Sequence, residues 1–153
     1  MGSARFADFL TPEDKRAEII RNLVPGMVLK LWVPYFSTPK YKFAVIVCRA
    51  PLILFYVNSG INDYIRQNRE LINCQVPISA GDYDFLDRIS YIDCTEEAVR
   101  DEEDVISQLM SEMNRIKGTL KMPDIGGIRK AVQDNRTLER RYRKLILASL
   151  PER

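Results

Sequence analysis

Histidine is absent from the chain, and this absence excludes more chemistry than any other feature of the composition. Without histidine there is no Ser-His-Asp or Cys-His catalysis, no imidazole acid or base, and none of the imidazole ligands that transition metals usually take. Any reaction must therefore use lysine, arginine, tyrosine, hydroxyl or carboxylate side chains. We expect neither a metal site nor a cofactor.

Cysteines and long apolar runs are also scarce. Cys48, Cys74 and Cys94 are widely spaced and form no CxxC pair or metal-ligand spacing, so we expect buried free thiols. No run approaches the ~20 apolar residues that span a membrane, and the first residues lack the apolar block of a secretory signal. We expect a cytoplasmic protein that does not bind a membrane.

What is present is the composition of a globular domain with an uneven charge distribution. The chain has 153 residues, 46% of them hydrophobic and 29% charged, with a net charge of +2. Residues 34–62 contain Lys40, Lys42 and Arg49 but no acid, whereas residues 93–104 contain seven acids and one arginine. From residue 129 to the end there are eight basic residues and three acids. Such asymmetry is compatible with a nucleic-acid surface, and solvated helix faces give the same pattern.

The apolar pattern predicts an α+β fold with a curled antiparallel sheet. Thr11 and Pro12 have the chemistry of a helix start, and Pro25-Gly26 ends that helix. About five short strands follow, at residues 27–33, 42–48, 52–57, 71–78 and 89–94. The segments between them are too short for crossover helices, which indicates an antiparallel sheet or small barrel.

Helical periodicity begins at Asp101. The first predicted helix of this region ends at Gly118, and a second runs from Pro123 to Asn135. Thr137 caps a third, which runs to about Ser149 and turns Leu138, Arg141, Tyr142, Leu145 and Ile146 inward. The acids at 102–104 are favourable at a helix N-terminus, and the whole acidic segment could alternatively fold over the basic groove.

Five short motifs, taken in their order along the chain, carry a resemblance to a known family. PGMV at 25–28, KFAVIV at 42–47 and LFYVNS at 54–59 are similar to its first three strands. FLDRIS at 85–90 and IKGTL at 116–120 resemble its later segments. Over residues 25–132 the chain thus resembles the PemK/MazF-like toxins. It departs from them in the 37–41 loop, which lacks the family's glycines, in Lys42, which replaces an arginine, and in Phe43, which replaces a proline.

The resemblance implies a small SH3-like antiparallel β-barrel over residues 25–120, its following helix included. An N-terminal helical extension over 1–24 precedes the barrel, and a C-terminal helical segment over 121–153 follows it. The resemblance also implies a metal-independent endoribonuclease that cleaves single-stranded RNA in a toxin–antitoxin or phage-defence setting. It implies a homodimer and an antitoxin protein as partner.

By position, the resemblance assigns catalysis to Lys42 and Ser59. Lys42 would stabilise the charged phosphorane, and would donate a proton if desolvation lowers its pKa. Ser59 would hold a non-bridging phosphate oxygen. The predicted nucleic-acid contacts are the basic and aromatic side chains of the acid-free segment: Lys40, Tyr41, Arg49 and Tyr35.

Three other interpretations remain open at this point. Lys40 and Lys42 are also typical of solvated residues that protect a sheet edge, and Ser59-Gly60 is typical of a plain turn. The same barrel without turnover would be an RNA- or protein-binding module. The basic C-terminal helices could instead form a DNA-binding regulator, with phosphate contacts from these residues: Arg136, Arg140, Arg143 and Lys144.

Overall fold

The fold is known from a computed structural model, which describes residues 10–152. It is α+β, with a curled antiparallel sheet and helices on both faces, so the predicted fold class is confirmed at this level. Residues 1–9 and 153, which belong to the predicted N- and C-terminal helical segments, lie outside the described part of the chain. Within it, all three cysteines are buried free thiols, as predicted.

Seven strands form the sheet: β1 (Met27–Val33), β2 (Lys40–Cys48), β3 (Ile53–Asn58), β4 (Gln75–Ile78), β5 (Ser90–Asp93), β6 (Ala98–Val99) and β7 (Ile116–Thr119). Their spatial order is β4-β5-β3-β2-β1-β7, and β6 pairs with β3. The helices are α1 (Pro12–Asn22), α2 (Asp63–Arg66), α3 (Arg69–Ile72), α4 (Glu102–Ser111), α5 (Met122–Asp134) and α6 (Arg140–Ser149), with a 3-10 helix at Met113–Arg115.

Helices cover both faces of the central strands, which explains why β2 and β3 are nearly continuous apolar runs. On one face α1 and α4 pack against side chains such as Ala44 and Ile46 of β2. On the other face α5 and α6 pack against Val45 and Val47 of β2 and Phe55 of β3. Every side chain of β2 from residue 44 to residue 48 is therefore buried.

Local signals account for the ends of α1 and the start of β1. The Thr11 hydroxyl accepts a hydrogen bond from the Asp14 amide at 3.1 Å, which caps the helix as predicted. Gly26 has φ +95, a conformation that L side chains rarely adopt. A Cβ at this position would lie 3.3 Å from Cδ1 of Ile125, so the turn into β1 also passes close to α5.

Two predicted elements are wrong in part. The predicted strand at 71–78 is a strand only at Gln75–Ile78, since Arg69–Ile72 is helical. The Asn68 side chain accepts from the amides of Glu70 and Leu71, at 3.1 and 3.4 Å, and so caps that short helix.

The predicted helix that ends at Gly118 is also too long. It stops at Ser111, and residues 116–119 form β7, which pairs with β1.

The last helix begins later than predicted. It starts at Arg140, and the Thr137 hydroxyl donates to Oδ1 of Asn135 at 2.7 Å, so it does not cap the helix. The predicted inward position of Arg141 is wrong, because this side chain is 69% exposed and pairs with Glu139. Leu138 and Ile146 are buried, as the periodicity predicts, whereas Leu145 is 36% exposed and its predicted inward position is also wrong.

Candidate functional site

A cleft of about 700 Å³ lies where β3 separates from β2. The β2–β3 ladder stops at the pair Ala44–Tyr56, and the end of β3 pairs with β5 through Val57 and Asn58. Residues 40–43 of β2 are therefore paired with β1 alone. The walls of the cleft come from the β1–β2 turn, the first residues of β2, the end of β3 and the segment that leads from β5 to β6.

Lys42 occupies this divergence between β2 and β3. Its Nζ donates a hydrogen bond to Oδ1 of Asn58, which joins the two strands where their ladder has ended. The pKa of Lys42 is lowered to about 8, chiefly because burial desolvates the charge and secondly because Lys40 repels it, while Asp93 acts in the opposite direction. Lys42 is half-buried and hydrogen-bonded to Asn58, so it differs from a solvated lysine that only protects a sheet edge. Lys40 is exposed, so it fits both the phosphate-binding and the edge-protecting interpretation.

Two tyrosines and a buried arginine form a connected group at the side of the cleft. The hydroxyls of Tyr35 and Tyr56 are hydrogen-bonded, and Arg100 donates to the Tyr56 hydroxyl at 3.1 Å. The Arg100 side chain is 6% exposed and is paired with Asp104 at 2.9 Å. Its guanidinium also lies 5.6 Å from the centre of the Tyr35 ring. Burial raises the pKa of Tyr56 to about 12, so its hydroxyl stays protonated at neutral pH.

Carboxylates line the same cleft as the lysines. Asp93, Glu96 and Glu97 are the acidic lining residues, so the cleft brings together part of the acidic segment and part of the acid-free segment. Oδ1 of Asp93 accepts three hydrogen bonds, from Nε2 of Gln75 at 2.9 Å, the Thr95 amide at 3.1 Å and the Thr95 hydroxyl at 2.6 Å. These bonds fix the orientation of the carboxylate.

The rest of the acidic segment has the structural role expected of it. Glu102, Glu103 and Asp104 lie in the first turn of α4, where negative charge is favourable. Each also forms an ion pair: Glu102 with Arg49, Glu103 with Arg16 and Asp104 with Arg100.

The structure brings together only half of the predicted site residues. Lys42, Lys40 and Tyr35 line the cleft. Tyr41 lies on the opposite face of β2, because neighbouring side chains of a strand alternate, and it contacts Trp32 and Arg115 there.

The other two predicted residues are elsewhere. Arg49 follows the far end of β2 and pairs with Glu102. Ser59 is exposed and is not part of the cleft wall, whereas its neighbour Asn58 is.

Several residues of the cleft region are not among the predicted site residues, and four of them take part in its hydrogen bonds: Tyr56, Asn58, Asp93 and Arg100. Asn58 ends an apolar strand one residue before Ser59, and a polar residue at that point was a usable signal. The other three are brought to the site by strand pairing and side-chain packing, for which the sequence carries no local signal.

The basic C-terminal helices are engaged in the fold. Arg143 donates to the Leu138 carbonyl at 3.3 Å, and Arg129 donates to the Leu147 carbonyl at 2.9 Å. Arg136, Arg140 and Lys144 are exposed. Of the four basic side chains named for DNA binding, one is therefore engaged within the fold and three are exposed, so that interpretation stays a prediction.

Two further observations concern the described residues as a whole. Between residues 10 and 152, no cluster of three or more cysteine, aspartate or glutamate side chains is arranged to hold a metal ion. No helix in this range is long and apolar enough to cross a membrane.

No protein-family model, curated protein or solved structure matches the chain significantly.

Proposed function

We propose that the protein is a metal-independent endoribonuclease that cleaves single-stranded RNA in the cleft around Lys42. The observation that carries the proposal is the state of Lys42, a half-buried cation whose pKa is lowered to about 8 and whose position is fixed by Asn58. Such a lysine is still charged at pH 7, yet gives up its proton far more readily than an exposed one. A cleft of about 700 Å³ is within the size range of ligand sites.

The reaction needs three groups. The 2′-oxygen attacks the adjacent phosphorus, a new P–O bond forms, and the bond to the 5′-oxygen breaks, which leaves a 2′,3′-cyclic phosphate and a 5′-hydroxyl. A base must take the 2′ proton, a cation must stabilise the charged phosphorane, and an acid must protonate the leaving 5′-oxygen.

The cleft offers side chains for each of these roles. Lys42 supplies the cation and the proton for the leaving oxygen. Asp93 supplies the base, since three donors hold one of its oxygens and leave the other for the substrate. Lys40 adds a second positive charge, and the protonated hydroxyl of Tyr56 is a donor for a phosphate oxygen. Asn58 is a positioning residue that holds Lys42, and the phosphate contact that the resemblance gives to Ser59 is made by Tyr56 in this proposal.

The wider setting belongs to the same proposal. The resemblance to the PemK/MazF-like toxins implies an SH3-like barrel, a homodimer and an antitoxin protein that binds it. Light scattering of the purified protein tests the dimer. A monomer at micromolar concentration would remove that part of the proposal and leave the chemistry of the cleft unaffected.

The test is incubation of the protein with a long single-stranded RNA in the presence of EDTA. We expect discrete fragments that end in 2′,3′-cyclic phosphates. Lys42→Ala should slow cleavage by about 10²–10⁴-fold, which is the usual effect of losing a general acid. Lys144→Ala is the matched control, because this lysine is exposed on α6, away from the cleft, and its loss should change nothing.

Two outcomes would contradict the proposal. Equal cleavage by Lys42→Ala and the parent would exclude Lys42 as a catalytic residue. RNA that is bound but stays intact would favour the alternative of a non-catalytic RNA-binding module.

A further inference from the structure

A second group of aromatic and basic side chains lies on the face of β1 and β2 that is opposite the cleft lysines. We call it the Tyr41 face, and it consists of Lys30, Trp32, Tyr41, Arg115 and Lys117. These residues border a cavity of about 320 Å³ or contact the Tyr41 ring directly. None of them lines the cleft.

The aromatic rings of this face are exposed and held in place. Trp32 is 37% exposed and Tyr41 is 46% exposed, and their ring centres are 5.0 Å apart in an edge-on arrangement. The β1–β7 ladder ends at Leu29, so the Trp32 backbone lies beyond it. Gln108 of α4 replaces the missing strand partner, since its side chain accepts from the Trp32 amide at 2.8 Å and donates to the Trp32 carbonyl at 3.2 Å. Exposed aromatics on such a rigid support are typical of binding surfaces.

Positive charge surrounds these rings. The guanidinium of Arg115 lies 4.8 Å from the centre of the Tyr41 ring, and its Nη2 donates to the Tyr41 hydroxyl at 3.0 Å. Nζ of Lys30 lies 5.7 Å from the same ring centre. The one acid of the cavity wall, Glu112, is paired with Arg115 at 3.3 Å. Within residues 10–152, neither Lys30 nor Lys117 has an ion-pair partner.

We infer that the Tyr41 face binds a segment of single-stranded RNA outside the cleft, with a base stacked on Trp32 and phosphates on Lys30 and Lys117. This inference rests on the proposed function for the identity of the strand. Cations interleaved with exposed aromatic rings form the usual platform for single strands, because every unpaired base has a free π-face and every linkage has a charge. A duplex offers the charges without the free base faces.

The two faces meet at the end of the β1–β2 hairpin. Tyr41 lies between Lys40 and Lys42 in β2, and it is paired with Trp32 of β1. A strand that leaves the cleft past Lys40 and crosses this hairpin end reaches the Tyr41 face within a few nucleotides. RNA substrates long enough to contact both faces should therefore bind more tightly than short ones.

The single tryptophan of the chain provides a direct assay. The probe is a single-stranded 2′-O-methyl RNA oligonucleotide, which lacks the attacking hydroxyl and cannot be cleaved by this reaction. We expect it to quench the fluorescence of Trp32. Lys30→Glu combined with Lys117→Glu should weaken binding at least tenfold, whereas Lys144→Glu is the matched control and should have no effect.

Salt dependence gives a second readout. On single strands the logarithm of the binding constant falls by about 0.7 per phosphate contact for each unit of log salt concentration. The double variant should therefore reduce that slope by about 1.4 if each lysine contacts one phosphate. Circular dichroism of the double variant verifies that it is folded.

The outcomes separate this inference from the proposed function. Quenching without any RNA cleavage would refute the ribonuclease and leave the second binding surface standing. No quenching by the parent protein, or equal binding by the double variant, would overturn the inference even if RNA is cleaved. Equal quenching by polyglutamate would also overturn it, because the surface would then bind any polyanion.

Discussion

Replacing Lys40 with methionine should raise the pKa of Lys42, because it removes a like charge. In the structure burial is the largest cause of the lowered pKa of Lys42, the charge of Lys40 is the second, and Asp93 acts in the opposite direction. The two lysines are two residues apart on one strand face, a separation of roughly 7 Å. Lys40 is exposed, so the dielectric constant of water applies and the repulsion is about 0.6 kcal/mol. This energy corresponds to a pKa increase of about 0.4.

The assay is a pH titration of the lysine Cε signals by carbon-detected NMR. We expect the parent Lys42 to titrate at about 8. In Lys40→Met the pKa of Lys42 should be slightly higher than in the parent, yet well below 10.5, since the burial of Lys42 is unchanged. In Asp93→Asn the pKa of Lys42 should be lower than in the parent, because a negative charge that stabilises the protonated lysine is lost. Lys144→Met is the control and should leave Lys42 unaffected. A parent Lys42 that titrates near 10.5 would refute the assignment of a desolvated proton donor.

The same shift makes stability depend on pH in a defined window. The pKa of Lys42 is about 8 in the folded chain, against an ordinary value of 10.5, so between these values the unfolded chain binds more protons. The contribution of Lys42 to stability is therefore complete above pH 10.5 and is lost as the pH falls to 8. Urea unfolding at pH 7 and pH 10 should show this gain in the parent relative to Lys42→Met. A difference between the two proteins that does not change with pH would contradict it.

Two further predictions concern packing. Gly126→Ala in α5 should stabilise the protein by up to about 1 kcal/mol, because the site is open and alanine favours helix. Gly127→Ala should destabilise it by roughly 1–3 kcal/mol, because a Cβ at this position would lie 2.9 Å from Cγ1 of Val76. Urea denaturation compares the two variants, and equal stabilities would contradict the contact with Val76. Phe55→Ala should lower the free energy of unfolding by about 3–5 kcal/mol in the same assay, because this ring is 0% exposed. Tyr64 is 71% exposed, so Tyr64→Ala should stay within about 0.5 kcal/mol of the parent. A similar loss of stability in both variants would contradict the assignment of Phe55 to the core.

Apolar periodicity predicts correctly those elements whose conformation is determined by the burial of their own side chains. The strand predicted at 27–33 matches β1, since its alternating apolar residues are buried against α1 and α4. The strand predicted at 71–78 is wrong in its first half, because the Asn68 cap favours a helical turn there despite the alternating pattern. β7 is missed because IKGT is too short to indicate a strand, and pairing with β1 determines its conformation.

The candidate site also contains residues that the sequence predicts and residues that only the tertiary structure brings there. Lys42 could be predicted from its place before an apolar run, and Lys40 and Tyr35 from the acid-free segment around it. Asp93 and Arg100 could not be predicted, since β3 has to leave β2 and pair with β5 and β6 before they approach the cleft. Adjacency in sequence predicts Tyr41 beside the lysines, but strand alternation places it on the other face of β2.

The pH dependence of RNA cleavage by the parent and by Lys42→Arg tests the central claim most directly. If Lys42 donates the proton, the rate of the parent should fall above a pH of about 8, where this lysine loses its charge. Arginine does not deprotonate in proteins, so the variant should cleave slowly and show no decline in this range. The same decline near pH 8 in both proteins, or no cleavage by the parent at any pH, would contradict the account.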